Sequence, residues 1–448
     1  MTAKDSYLHV FANVEAKWTH CGELALLEDG SELLSSSFRY DARYTDSPGA
    51  FALDPVSLSF ERAKASSGKP VRPTYRHSQF GAIRDASPDA WGRRVIEVKL
   101  RAPANSLPES VYLLHAGSER VGALDVRSDA ADRLEEGAGR LEDLGELMEA
   151  AACIEAGVPV RKRNAPIFAC GSGLGGAPPK LSVRDEDSVV WVANLPSQGD
   201  RFDVAAVEAA TLNMATDAGL RVPNVRTISL DEHRVMHIER FDRRWSEARE
   251  PKVNAAAHAR KSGGHARPEL RVPFISALTL LGRDEFESRT QSYAGLASAI
   301  WEHCDRNVVR RDLAKLFERM VFNIFVTNLD DHLRNHGFIY DFALPGWRLS
   351  PLYDVLPSPS YAFERHLHLG VGEEGKLATL DNAVSRCDAF GISESEACML
   401  IGLMWDVVKD WRSLFAEDGV AEKDMDYVST AIRHIDDIST EELRRWIT

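Results

Sequence analysis

The 448-residue sequence predicts an α+β protein in which two lobes follow a β-rich N-terminal unit. Three differences in texture along the chain carry that expectation. Residues 1–128 mix short β-like runs with turns, Leu24 to Leu34 and Gly122-Ala-Leu-Asp-Val126 among them. Residues 140–265 combine strand-like segments with one helix and a Gly-rich loop, and residues 270–448 are mainly helical. Ala130 to Gly139 is charged and rich in Ala and Gly, which reads as a linker. The polar piece from Ala255 to Pro268 reads as a mobile loop, and the chain has no internal repeat.

In the middle segment, Gly171-Ser-Gly-Leu-Gly-Gly176 precedes a strand. Glycine permits close backbone approach and unusual φ, so this loop is suited to lie over phosphates, although Gly-rich loops are also common linkers. Gly175 and Gly176 are its candidate contacts. Leu181-Ser-Val-Arg184 and Val189-Val-Trp-Val-Ala193 flank Asp185-Glu-Asp-Ser188 and predict a hairpin. That pairing brings Lys180 beside Ala193 or Asn194, but a slip of one residue turns its side chain to the other face. Asp203 to Gly219 predicts a helix, with an N-cap acid, a C′ glycine, and Val204, Val207, Thr211, Met214, Ala215 and Ala218 on one face. Glu208 falls inside that stripe. A buried carboxylate is unfavourable unless paired, so Glu208 needs a cationic partner or the border of a cleft. Val235-Met-His-Ile238 is strand-like and runs into Ile238-Glu-Arg-Phe-Asp-Arg243, whose charges alone read as a solvated strand end.

The C-terminal segment holds the densest chemistry. Leu313, Leu316, Phe317, Met320, Val321, Ile324 and Phe325 recur at helical spacing, and Asn328 is a candidate stop for that helix. It leads into Asn328-Leu-Asp-Asp-His-Leu-Arg-Asn335, then into two short strands around Pro345-Gly346, and then to Pro351-Leu-Tyr-Asp354. An acid, an amide and a second acid in this order suit phosphoryl transfer from ATP with Mg²⁺. The reaction needs a carboxylate to orient the attacking hydroxyl and oxygen ligands for the metal. Asp330 is the candidate base, and Asn335 and Asp354 are the candidate Mg²⁺ ligands. An Asp-Asp pair can also simply cap a helix or solvate a loop. His332 and His336 are spaced for a metal if helical, but Gly337 and the β-rich run after it argue against helix.

Composition sets further bounds. No apolar run approaches membrane-spanning length, and no signal-peptide pattern opens the chain, so a cytoplasmic enzyme without membrane contact is expected. Six cysteines are scattered without C-x-x-C spacing, which favours reduced thiols. A formal charge of −14 argues against the chain binding DNA by itself.

The order of landmarks resembles the HipA family of bacterial serine/threonine kinases, the toxin half of many toxin–antitoxin pairs. The landmarks are Phe38-Arg-Tyr-Asp41, Ser87-Pro-Asp-Ala-Trp-Gly-Arg93, Val121-Gly-Ala-Leu124, Gly175-Gly-Ala-Pro-Pro-Lys180, Ile238-Glu-Arg-Phe-Asp-Arg243, the Asp330 motif and Ser350-Pro-Leu-Tyr-Asp354. The resemblance implies a bilobal protein-kinase-like fold: an N-terminal domain over 1–128, a kinase N-lobe over 140–265 and a helical C-lobe over 270–448. It implies ATP and Mg²⁺ as cofactors and a protein serine or threonine as acceptor. It also implies a helix-turn-helix antitoxin as partner, with DNA reached only through that partner. Glu239 and Phe241 become hinge contacts for adenine, Glu208 the glutamate that positions a phosphate-binding lysine, and Ser172 the candidate autophosphorylation site.

One position departs from the family pattern. The strand Val189 to Pro196 aligns with the one that normally carries the phosphate-binding lysine, and here it carries Asn194. Asparagine brings no positive charge to the phosphates. The alternative to an active kinase is therefore a pseudokinase or inactivated variant that binds nucleotide or partner without turnover. Lys180 is the natural substitute cation, but it belongs to the family's own Pro-Lys motif, so its presence is no sign of compensation.

Overall fold

The computed structural model describes residues 3–131, 137–174, 176, 178–197, 199–231, 233–245 and 269–447. The Ala255 to Pro268 loop, Gly175 and the middle of the Ala130 to Gly139 linker lie outside these residues.

The N-terminal sheet runs in the order β3-β2-β1-β4, formed by β1 (Lys4–Val14), β2 (Lys17–Asp29), β3 (Glu32–Tyr40) and β4 (Leu124–Arg127). Glu15 and Ala16 join β1 to β2, both left-handed at φ 49° and 63°. That is the two-residue turn whose twist suits antiparallel strands. The Leu24 to Leu34 run, expected as one segment, is divided: β2 ends at Asp29, Gly30 takes φ 61°, and β3 starts at Glu32. Between β3 and β4 the chain carries several helices, of which Ala90–Leu100 and Glu109–His115 are the longest. Helices thus interrupt the turns expected in that stretch: Glu109–His115 packs on β4, while Ala90–Leu100 reaches the core beneath the second sheet.

Five strands build the next sheet in the order β5-β6-β7-β9-β8. They are β5 (Gly139–Arg140), β6 (Lys180–Arg184), β7 (Val190–Asn194), β8 (Val225–Leu230) and β9 (His233–Glu239). The predicted β6–β7 hairpin turns around Asp185, whose Oδ1 accepts from the Asp187 and Val189 N–H groups and whose Oδ2 accepts from Trp191 Nε1. This side-chain-locked turn fixes the register, and Lys180 pairs with Asn194. The predicted helix spans Val204–Asp217, capped by Asp203 and followed by Gly219 at φ 85°. A further helix, Leu144–Glu155, buries Leu144, Leu147, Ala150, Ala151 and Ile154. One helix was expected in this lobe, and this one is additional.

The C-lobe is organised on the Val309–Phe325 helix, whose predicted apolar face is buried throughout. The helix stops earlier than Asn328. Thr327 takes φ 48°, its N–H donates to Ile324 O, and the Asn328 N–H reaches back to Asn323 O at 2.9 Å. This is a Schellman closure with a β-branched residue at the position that usually holds glycine, so strain sits at the entrance to the Asp330 loop. A small sheet pairs β12 (Phe274–Ser276), from before this helix, with β13 (Gly337–Asp341) and β14 (Gly346–Leu349), which follow the loop; the ribbon of β10 (Arg243–Trp245) and β11 (Glu269–Arg271) precedes it in the chain. One apolar core runs through the N-terminal sheet, the Val204–Asp217 helix and the C-lobe, while a smaller one lies under the five-stranded sheet. Among the described residues, no helix is long and apolar enough to cross a membrane.

Candidate active-site cleft

A cleft of about 1570 Å³ opens between the five-stranded sheet and the C-lobe. Because Lys180 and Asn194 are directly opposed across the ladder, their side chains share one face, and both line this cleft. Lys180 Nζ lies 3.3 Å from Asp354 Oδ1, and Asn194 Nδ2 lies 3.4 Å from Glu208 Oε2. Burial pulls the Lys180 ammonium down, but Asp354 and Glu208 outweigh it and hold the lysine above its usual value. Asp354 is held below the carboxylate range by Lys180 against the opposing effect of burial. Glu208 is pushed up to about 7, first by burial and then by the Asp354 charge. Glu208 thus borders the cleft as its place on the helix required, and its side-chain bond is to an amide rather than a cation.

Three hydrogen bonds hold the Asp354 segment in place: Ser350 N to Gly337 O, Leu352 N to Arg221 O, and Tyr353 Oη to Arg334 O. Asp354 itself is left-handed at φ 58°, a sparsely populated conformation for a residue with a side chain. In the preceding loop, Asn335 Nδ2 donates to Asp330 O at 2.8 Å. The Asn335 amide also hydrogen-bonds the Asp354 side chain and helps hold that carboxyl low, so the two groups adjoin. Two hard oxygen donors from adjoining segments fit a Mg²⁺ ion.

The two acids of the Asp-Asp pair part company. The Asp330 side chain is 79% exposed and lines the cleft. Asp331 is buried and accepts hydrogen bonds from Tyr293 Oη and the His368 N–H, both at 2.7 Å. Burial pushes Asp331 up to about 7 and His336 down to about 3. Among the described residues, His332 and His336 gain no third metal ligand; the cluster that could hold an ion is His77, Asp284 and Glu287, elsewhere.

The Gly-rich loop divides as well. A Cβ on Gly173 would lie 2.5 Å from Arg120 N, so this part of the loop packs on the N-terminal unit and not over the cleft. Ser172 is fully buried there, with its Oγ donating to Ala116 O at 3.1 Å. Gly176, at φ 110°, does line the cleft, and its N–H points to Asp89 Oδ2 at 3.4 Å. Glu239 and Phe241 border the cleft too. The Glu239 N–H and carboxylate are both tied to Asn224, and the Phe241 ring lies 5.7 Å from that of Tyr353.

Sequence reasoning missed the contribution of the N-terminal unit to the cleft wall. Asp85, Ser87 and Asp89 line it. The Ser87 to Arg93 motif was the signal available, but nothing local ties that motif to a nucleotide.

Comparison with known proteins bears on the family and the fold. A sequence model described as the HipA-like C-terminal domain matches residues 172–411. No curated protein matches the chain by sequence. Among solved structures it is similar to the HipA, HipB and operator DNA complex of the Shewanella oneidensis MR-1 toxin–antitoxin system. That likeness has a TM-score of 0.62 at 14% identity, covers 95% of this chain and 94% of the other, and shows a shared fold. The chain is also similar to the proinflammatory kinase CtkA of Helicobacter pylori, with a TM-score of 0.37 at 12% identity over 58% of this chain and 91% of that one. The second likeness is too distant to carry an argument.

Proposed function

The chain belongs to the HipA family, and on that premise we propose that it is a serine/threonine protein kinase transferring the γ-phosphate of ATP to a protein hydroxyl. The observation that carries this reading is the ammonium of Lys180, 3.3 Å from Asp354 on the face shared with Asn194. It supplies a cation to the cleft although Asn194 stands at the usual lysine position. ATP with Mg²⁺ would supply the phosphoryl group and neutralise the charge that develops on it. Asn335 and Asp354 would hold the metal. Asp330, exposed at the cleft mouth, would orient the acceptor hydroxyl and take its proton. Glu208 acts through the Asn194 amide, which it steadies. Gly176 offers backbone to the phosphates, and the Glu239 carbonyl and Phe241 N–H would meet adenine. Ser172 can be phosphorylated only after it leaves its buried bond to Ala116.

By the same family logic, the protein acts in the cytoplasm as a toxin neutralised by a helix-turn-helix antitoxin, through which it reaches DNA. The second reading, a pseudokinase, is favoured by one observation: the Lys180 ammonium is already paired with Asp354, and Asn194 adds no charge. Intact mass after incubation with ATP and Mg²⁺ separates the two. An active kinase gains phosphate on itself or on added protein, and Asp330→Asn and Lys180→Met each abolish the gain. Nucleotide binding by calorimetry without any gain would leave the pseudokinase standing.

A further inference from the structure

Arg240, Asp242 and Arg243 of Ile238-Glu-Arg-Phe-Asp-Arg243 have no part in the phosphoryl transfer proposed for the cleft, yet all three are buried charges. Arg240 leaves the sheet with its N–H on Val190 O, and its guanidinium is only 2% exposed. It donates to Glu119 O at 2.9 Å and Glu119 Oε2 at 3.4 Å, Ser182 Oγ at 2.7 Å, Arg120 O at 3.1 Å and both Asp242 oxygens. Arg243 donates to Arg120 O and Gly122 O. The Gly122 N–H closes the circuit on Asp242 Oδ2 at 2.7 Å. Gly122 sits at φ 80° with Phe274 backbone 3.1 Å from where a Cβ would be, so only glycine fits there.

The same N-terminal segment carries the Gly-rich loop. Ser172 Oγ bonds Ala116 O, and Gly173 abuts Glu119 and Arg120. The hinge backbone and the start of the Gly-rich loop, which leads to Gly176, therefore both rest on residues 116–122.

We propose that this segment is part of the nucleotide site, and that Arg240 is the positioning residue through which it sets the hinge backbone at Glu239 and Phe241. The inference rests on the nucleotide reading above and deepens it, because nucleotide affinity then depends on how the N-terminal unit is held. Buried guanidinium bonds to backbone carbonyls are strong and directional, and misplacing a binding group by about 1 Å is enough to lose its interaction.

The test is calorimetric binding of adenosine, Mg-ATP and Mg-tripolyphosphate to the full chain and three variants. Arg240→Lys keeps the charge but loses the fork, Glu119→Gln keeps the shape, and Ser182→Ala deletes one hydroxyl and is the mildest for folding. In Arg240→Lys, adenosine and ATP should each weaken about tenfold while tripolyphosphate is unchanged, since only the base meets the hinge. KM for ATP should rise and kcat at saturation stay. Glu119→Gln and Ser182→Ala should show the same selective loss, smaller in size. The proposal is overturned if a variant with wild-type thermal unfolding loses all three ligands together, or loses none. Wild type that binds neither adenosine nor ATP would instead overturn the nucleotide reading, and this proposal with it.

Discussion

Asp331 is buried and held by Tyr293 Oη and the His368 N–H, one residue from an acid that is mostly exposed. Burial is the larger influence, and it raises this carboxyl to about 7 from an ordinary value of 3.8. The folded chain therefore binds a proton that the unfolded chain releases between about pH 4 and pH 7. A group whose folded pKa is raised in this way stabilises at low pH and loses that contribution as pH climbs, by up to about 1.4 kcal/mol per unit over the window. Asp331→Asn keeps a polar side chain and cannot titrate. Urea denaturation at pH 5 and pH 8 should show wild type losing more stability across that interval than Asp331→Asn. Equal losses would mean that Asp331 is ionised in the fold at both values.

At the scale of elements, what was readable from the sequence was local. The Val204–Asp217 helix announced itself because its cap, stripe and C′ glycine all lie within one segment, and Asp203 accepts from the Ala206 N–H as an N-cap should. Asp203→Ala should lower stability by about 1 kcal/mol, seen as a drop in Tm. A loss of nucleotide affinity beyond the change in Tm would show that the cap also holds Glu208 in place. The Leu144–Glu155 helix is equally local, with Leu144, Leu147, Met148, Ala151 and Ile154 at helical spacing, and is a second helix in a lobe for which the sequence predicts one. The face taken by Lys180 was not local. Strand periodicity is two, so the answer turned on a single-residue register that the Asp185 turn sets in three dimensions. The Asp330 to Asn335 loop was legible as chemistry, but the strained Thr327 before it was not. Thr327 is held by Arg365 and Ala431, far along the chain.

The whole molecule is knit together by the unit that sequence texture sets apart most clearly. Asp85 accepts from the N–H and Oγ of Ser276 and from Thr279 Oγ1, which fastens the N-terminal unit to the C-lobe. Trp91 and Val95, from the same unit, complete the small core formed by Leu147, Ala151, Ile167, Leu181 and Trp191 beneath the five-stranded sheet. An independent N-terminal domain would leave those residues to pack among themselves. Here the cleft-bearing sheet is instead closed from below by a helix nearly ninety residues earlier in sequence than β6. Such long-range burial is invisible to periodicity, which reports a face but not what covers it. Replacing a buried large aromatic by alanine removes its transfer free energy and leaves a cavity, a loss of about 3–5 kcal/mol. Trp91 is 2% exposed, so Trp91→Ala should cost that much in chemical denaturation of the full chain. If the N-terminal unit is integral to the fold, the loss appears as a shift of one transition that includes the five-stranded sheet. A separate early transition, with the remaining lobes unfolding where wild type does, would show that the unit folds on its own and only leans against them.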